Sequence, residues 1–131
     1  MTHTKKLTGA YTALITPFTE AGIDWAQFEA FIDWQISEGI HGIVPCGTTG
    51  ESPTLSHTEH KDITLAAVRA AGGRVPVMAG TGSNSTAEAI ELSRYAKEVG
   101  ADCTLSVVPY YNKPSQEGIY QHFKAIAEAV D

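Results

Sequence analysis

The chain has 131 residues, of which 43% are apolar and 18% charged, a globular composition with no low-complexity tract that excludes a disordered protein. The net charge of −6 and the scatter of its nine Lys and Arg residues leave no basic stripe to meet phosphates, which argues against a nucleic-acid partner. Apolar runs of four or five residues are too short to span a membrane, and MTHTKKLTG at the start has no apolar stretch behind its lysines and so does not read as a secretory signal.

In chain order, the first apolar run is Tyr11–Ile15. Phe28, Phe31, Ile32 and Ile36 then form a helical stripe behind Asp24 and Gln27, which can cap it. A second run, Gly42–Pro45, opens into CGTTGESPTL. Next come Ser56-His57-Thr58-Glu59, a capping box, and the stripe Ile63, Ala66, Ala67, Ala70. The third run is Val75–Ala79. It is followed by Ser85-Thr86-Ala87-Glu88, a second box, and by Ala89, Leu92, Ala96 and Val99 up to Gly100. The fourth run, Thr104–Val108, precedes Pro114-Ser115 and the stripe Ile119, Phe123, Ile126, Val130.

The order is βαβαβαβα with strands about every 30 residues, and right-handed crossovers make that a parallel sheet with helices outside. No G-x-G-x-x-G follows the first run, where the chain reads TALITPFT, so a dinucleotide-binding sheet is disfavoured. The expectation is a single α/β domain over residues 1–131 made of four βα units of a (β/α)8 barrel. A complete barrel needs roughly 250 residues, so four units leave bare strand edges.

Ligands of such folds bind beyond the C-terminal strand ends, where Thr16-Pro17-Phe18, Cys46–Ser52, Gly80–Asn84 and Pro109–Asn112 fall. Gly47-Thr48-Thr49-Gly50 combines two hydroxyls with a backbone that turns sharply, a small site suited to a carboxylate. A neighbouring hydroxyl could extend a proton chain, and Tyr110 and Tyr111 are the candidates. Against this stands a plain turn that does no chemistry. His57 and His60, at i and i+3, are read as exposed helix residues rather than metal ligands, because no carboxylate completes a set. Cys46 and Cys103 fit no zinc spacing and read as reduced thiols of a cytoplasmic protein.

GTTGES, VPVMAGTGSNST and VVPYYNKPSQEGIYQHF together resemble the dihydrodipicolinate synthases, now called 4-hydroxy-tetrahydrodipicolinate synthases. These are class I aldolase-type lyases on a (β/α)8 barrel, and the similarity runs from Gly9 to the last helix, the N-terminal half of the family's barrel. GTTGE alone marks a wider superfamily that also holds N-acetylneuraminate lyases. The resemblance implies condensation of pyruvate, held as a lysine Schiff base, with aspartate semialdehyde on the route to diaminopimelate and lysine, with no cofactor. It gives Thr48 a place in a proton relay and has Thr49 hold the pyruvate carboxylate. It has Tyr111 complete the relay of a neighbouring subunit. It further implies inhibition by lysine at a dimer-interface cleft formed by Ser52, Pro53, His57, His60, Asn84, Glu88 and Tyr110. Pro53 is a departure, since the family often has Ala there. The family assembles as a dimer of dimers.

The family's Schiff-base lysine, its second relay tyrosine and its substrate-binding arginine correspond to positions past Asp131. None of Lys5, Lys6, Lys61, Lys97, Lys113 and Lys124 replaces that nucleophile by position, so this chain alone is expected to be inactive. Three rivals remain: another pyruvate aldolase of the superfamily, a non-catalytic half-barrel that self-associates, and a small anion-binding module.

Overall fold

The computed structural model describes residues 6–130; Met1–Lys5 and Asp131, and with them the reading of Lys5, lie outside the described residues. In order the elements are β1 (Tyr11–Ala13), β2 (Phe18–Thr19), β3 (Gly22–Ile23), α1 (Trp25–Ser37), β4 (Gly42–Val44), a 3-10 turn at Ser52–Thr54, α2 (His57–Ala71), β5 (Met78–Gly80), α3 (Thr86–Val99), β6 (Cys103–Leu105) and α4 (Gln116–Val130). The architecture is α/β, four βα units of a barrel. β1 pairs with β4 in parallel, Thr12 opposite Ile43, and β5 with β6 in parallel, Ala79 opposite Thr104. A parallel bridge from Ile43 to Val77 and the bond from Gly80 N–H to the Pro45 carbonyl (2.9 Å) join the two pairs into one arc, β1-β4-β5-β6.

The strands are shorter than the apolar runs that announced them. Pro76 has no N–H for the ladder, so β5 begins at Met78 rather than Val75. The fourth run leaves the ladder after Leu105, and Ser106 and Val107 turn to line a cleft. The antiparallel pair β2–β3, Phe18 opposite Ile23, is an addition that the sequence pattern does not announce.

The caps explain where the helices start. Asp24 accepts the Gln27 N–H at 3.0 Å to open α1. Ser56 and Glu59 close a full capping box on α2, and α3 ends at Gly100 in the left-handed region (φ 95°), as C-terminal glycines do. The helices cover one face of the arc and bury Leu14, Phe28, Ile32, Ile43, Ile63 and Val77 in a common core. Side chains alternate along a strand, so the opposite face carries the other set. Ile15 is 50% exposed, Leu105 49% and Val107 42%. In a closed barrel that inner face is packed by layers of side chains. No helix among the described residues is long and apolar enough to cross a membrane.

Candidate functional site

At the C-terminal end of β4 the chain turns abruptly. Cys46 takes a positive φ of 56°, and the loop then closes on itself: Gly50 N–H donates to the Gly47 carbonyl (3.1 Å) and Glu51 N–H to the Thr48 carbonyl (3.0 Å). Those two amides close the turn, and Thr48 and Thr49 at its crest are exposed. From β1, Thr16, itself buried, donates its hydroxyl to the Gly50 carbonyl at 2.8 Å. Gly80 at the end of β5 has no room for a side chain, because a Cβ there would lie 2.2 Å from the Cys46 carbonyl oxygen. The glycine thus lets β5 close against the root of the turn.

Around this corner opens a cleft of about 430 Å³ lined by Cys46, Gly47, Thr48, Gly80, Val107 and Tyr110, among others. Its walls are largely apolar, with Thr48, Ser52 and Ser106 supplying hydroxyls, the pattern of a small-ligand site. Thr48 lines it; Thr49 is exposed beside it and is not among its lining residues. The Cys46 thiol is no nucleophile at neutral pH: burial pushes its pKa up to about 12, and its Sγ contacts the His60 carbonyl at 3.7 Å.

A second, smaller hollow of about 70 Å³ adjoins the first and shares Ser52, Pro53, Gly82 and Tyr110 with it. Six of the seven residues expected at a lysine cleft line it: Ser52, Pro53, His57, His60, Glu88 and Tyr110. Asn84 stands aside, its side chain donating to the Tyr110 carbonyl (3.3 Å) and its carbonyl accepting from Asn112 (3.0 Å). Glu88 does not complete the second capping box. Its carboxylate instead accepts the Ser83 hydroxyl at 2.7 Å and comes to 3.6 Å from His57 Nε2.

His57 is exposed as expected, but His60 corrects the expectation of an exposed helix residue. It is 5% exposed, its Nε2 lies 2.6 Å from the Gly80 carbonyl, and that nitrogen therefore carries the proton. Burial pulls its pKa below the ordinary imidazole value, against the raising effect of that bond.

The two tyrosines part company. Tyr110 lines both hollows, whereas Tyr111 is 94% exposed and reaches neither. Asn112 N–H donates to the Tyr110 carbonyl (2.9 Å) across Tyr111, whose φ is 71°: a three-residue γ-turn of the rare, strained hand. The structure therefore brings Thr48 and Tyr110 together and holds Tyr111 away. No lysine among the described residues lines the cleft. Lys61 pairs with Glu91, Lys124 with Glu128, Lys97 bonds the Val130 carbonyl, and Lys113, two residues after Tyr111, has a φ of 44°.

Sequence reasoning placed Gly80 and Ser83 in a strand-end segment without giving either a role, and it missed Ser106, which lines the cleft.

Residues 6–131 match the model of the dihydrodipicolinate synthetase family. The chain is 64% identical over 123 residues to the 4-hydroxy-tetrahydrodipicolinate synthase of Parvibaculum lavamentivorans, covering 94% of this chain and 42% of that protein. It is similar to the dihydrodipicolinate synthase of Acinetobacter baumannii solved with pyruvate (51% identity, TM-score 0.93, 96% of this chain and 44% of that one). It is also similar to the enzyme of Cyanidioschyzon merolae solved with lysine bound (44% identity, TM-score 0.87, 91% and 41%). The chain thus spans about two-fifths of the length of the relatives it matches.

Proposed function

Because the chain belongs to the dihydrodipicolinate synthetase family, we propose that it supplies the Thr48–Thr49 side of a pyruvate site in a 4-hydroxy-tetrahydrodipicolinate synthase. The observation that carries the reading is the turn itself, closed by the Gly50 and Glu51 N–H groups on the Gly47 and Thr48 carbonyls, with two adjacent exposed threonines at the ends of parallel strands. One of them, Thr48, lines a cleft of about 430 Å³. In this reading the Thr49 hydroxyl and N–H hold the pyruvate carboxylate. Thr48 passes protons as pyruvate, bound through its carbonyl carbon as a lysine Schiff base, adds to aspartate semialdehyde. Tyr111, turned outward on its γ-turn, completes the relay of a neighbouring copy in a dimer of dimers. The smaller hollow takes lysine, with Glu88 meeting an ammonium group and the Tyr110 hydroxyl donating to a carboxylate.

The nucleophilic lysine is not among the described residues at the cleft, so the 131-residue chain by itself is read as inactive. Two measurements test this. Pyruvate with borohydride should leave the intact mass at 14.0 kDa, since there is no Schiff base to reduce; an adduct on this chain would overturn the assignment. A chimera in which the chain replaces the matching segment of the Parvibaculum protein should condense pyruvate with aspartate semialdehyde, and Thr48→Val in it should lower kcat by about 100-fold. A chimera that folds but turns over sugar-acid substrates instead would favour the rival aldolase. The relatives matched do not favour that rival.

The uncovered residues Ile15, Leu105, Val107 and Val108 support a second reading for the chain handled alone, association of copies through that face. Elution from gel filtration as a monomer would remove it.

A further inference from the structure

Thr16 belongs to neither hollow, yet its hydroxyl reaches from the end of β1 across to the turn after β4. It is 5% exposed, and it donates to the Gly50 carbonyl at 2.8 Å. The two backbones are already in contact there: a Cβ on Gly50 would lie 3.1 Å from the Leu14 carbonyl oxygen and 3.2 Å from the Cys46 nitrogen. The bonds inside the turn, Gly50 to Gly47 and Glu51 to Thr48, set its shape but do not place it on the sheet. The Thr16 bond does. We propose that Thr16 is a positioning residue, a buried hydroxyl that fixes where the Gly47–Gly50 turn stands on the barrel rim and so aims the Thr49 hydroxyl at the carboxylate of a 2-keto acid and the Thr48 hydroxyl at its reacting end. This rests on the reading of Thr48 and Thr49 as pyruvate-binding residues.

Thr16→Val keeps the shape and removes the donor, leaving the buried carbonyl unpaired; Thr16→Ser keeps the donor and removes only the methyl. The probe is pyruvate titrated into the ¹⁵N-labelled chain, with sodium fluoride at equal ionic strength as the blank, read at the amides of residues 47–51. The expected result is a pyruvate-specific shift in the native chain and in Thr16→Ser. Thr16→Val should show affinity weakened about fivefold to tenfold, with faster hydrogen exchange confined to the Gly50 and Glu51 amides.

Equal affinity and equal exchange in a folded Thr16→Val would overturn the positioning role while leaving the pyruvate reading intact. Loss in Thr16→Ser as severe as in Thr16→Val would also overturn it, since packing of the methyl would then be what matters. That arm stands even if Thr16→Val does not fold. Absence of any pyruvate-specific shift in the native chain would count against Thr48 and Thr49 as the binding pair. The Gly50 and Glu51 exchange rates would still decide whether Thr16 holds the turn.

Discussion

Helices α2 and α3 open with the same four-residue signal, Ser-x-x-Glu, and use it differently. In α2 the exchange is reciprocal: Ser56 Oγ accepts the Glu59 N–H at 3.2 Å, and the Glu59 carboxylate accepts the Ser56 N–H at 2.8 Å. In α3 the Ser85 hydroxyl accepts the Glu88 N–H at a long 3.5 Å, and the glutamate looks elsewhere. Ser83 stands between: its hydroxyl donates to Glu88 and accepts the Ser85 N–H at 3.1 Å, so it does the capping that Glu88 leaves undone. One glutamate is used up in starting a helix. The other is freed to face His57 across the smaller hollow. A local sequence signal fixes that a helix begins there, while a neighbour two residues upstream decides what its carboxylate is for.

The sharpest way to break this contrast is to remove each glutamate's role in turn. In the complete barrel of the chimera, Glu88→Ala should weaken lysine binding by roughly 10- to 100-fold, the worth of a charged hydrogen bond. Unfolding stability should change by no more than about 0.5 kcal/mol. Isothermal titration with lysine and urea denaturation of the same sample separate the two. Ser56→Ala should do the reverse, lowering unfolding free energy by about 1 kcal/mol with lysine affinity unchanged; an affinity loss there would erase the division of labour.

Ser83→Ala sharpens the comparison. With its partner gone, the Glu88 carboxylate should swing to the Ser85 N–H and close the box. A crystal structure would show this directly, and lysine affinity should fall a few-fold, below about 1 kcal/mol.

The smallest effect concerns two buried histidines, His60 of α2 and His122 of α4. His60 is held neutral by burial, with its pKa below the ordinary value. As pH falls through about 6.5, the unfolded chain takes up a proton that the folded chain refuses, so stability should drop on acidification and level off below the folded pKa. His122, also lowered by burial, adds in the same direction. Melting temperature followed from pH 7.5 to 5 should decline, and His60→Gln should flatten part of that slope. A slope unchanged in His60→Gln would assign the effect elsewhere.

Much of the fold could be read from residue spacing. The helical stripes, the caps at Asp24 and Ser56 and the stop at Gly100 fall where expected, because each depends on contacts within one or two turns. The β2–β3 pair was not legible: its strands are two residues long, too short for any alternation. Nor was the burial of His60, three residues from an exposed His57, since only the approach of β5 makes that side of the helix an interior. The diversion of Glu88 depends on Ser83, outside the capping motif altogether. Tyr110 and Tyr111 are adjacent and chemically alike, and only a γ-turn separates their directions. The roles given to Thr48, Thr49 and Tyr111 came from resemblance; the geometry accords Thr48 a cleft and gives Tyr111 an outward stance.

That outward stance has a consequence for assembly. A tyrosine with φ of 71° carries backbone strain of order 1–2 kcal/mol, and the cost falls when the chain folds, not when a second molecule arrives. A partner that grips the ring meets a loop already set in shape by the Asn84–Asn112 and Asn84–Tyr110 bonds. Little ordering entropy is then left to lose at contact, and docking should proceed at the rate of two rigid bodies rather than wait on a loop to find its conformation.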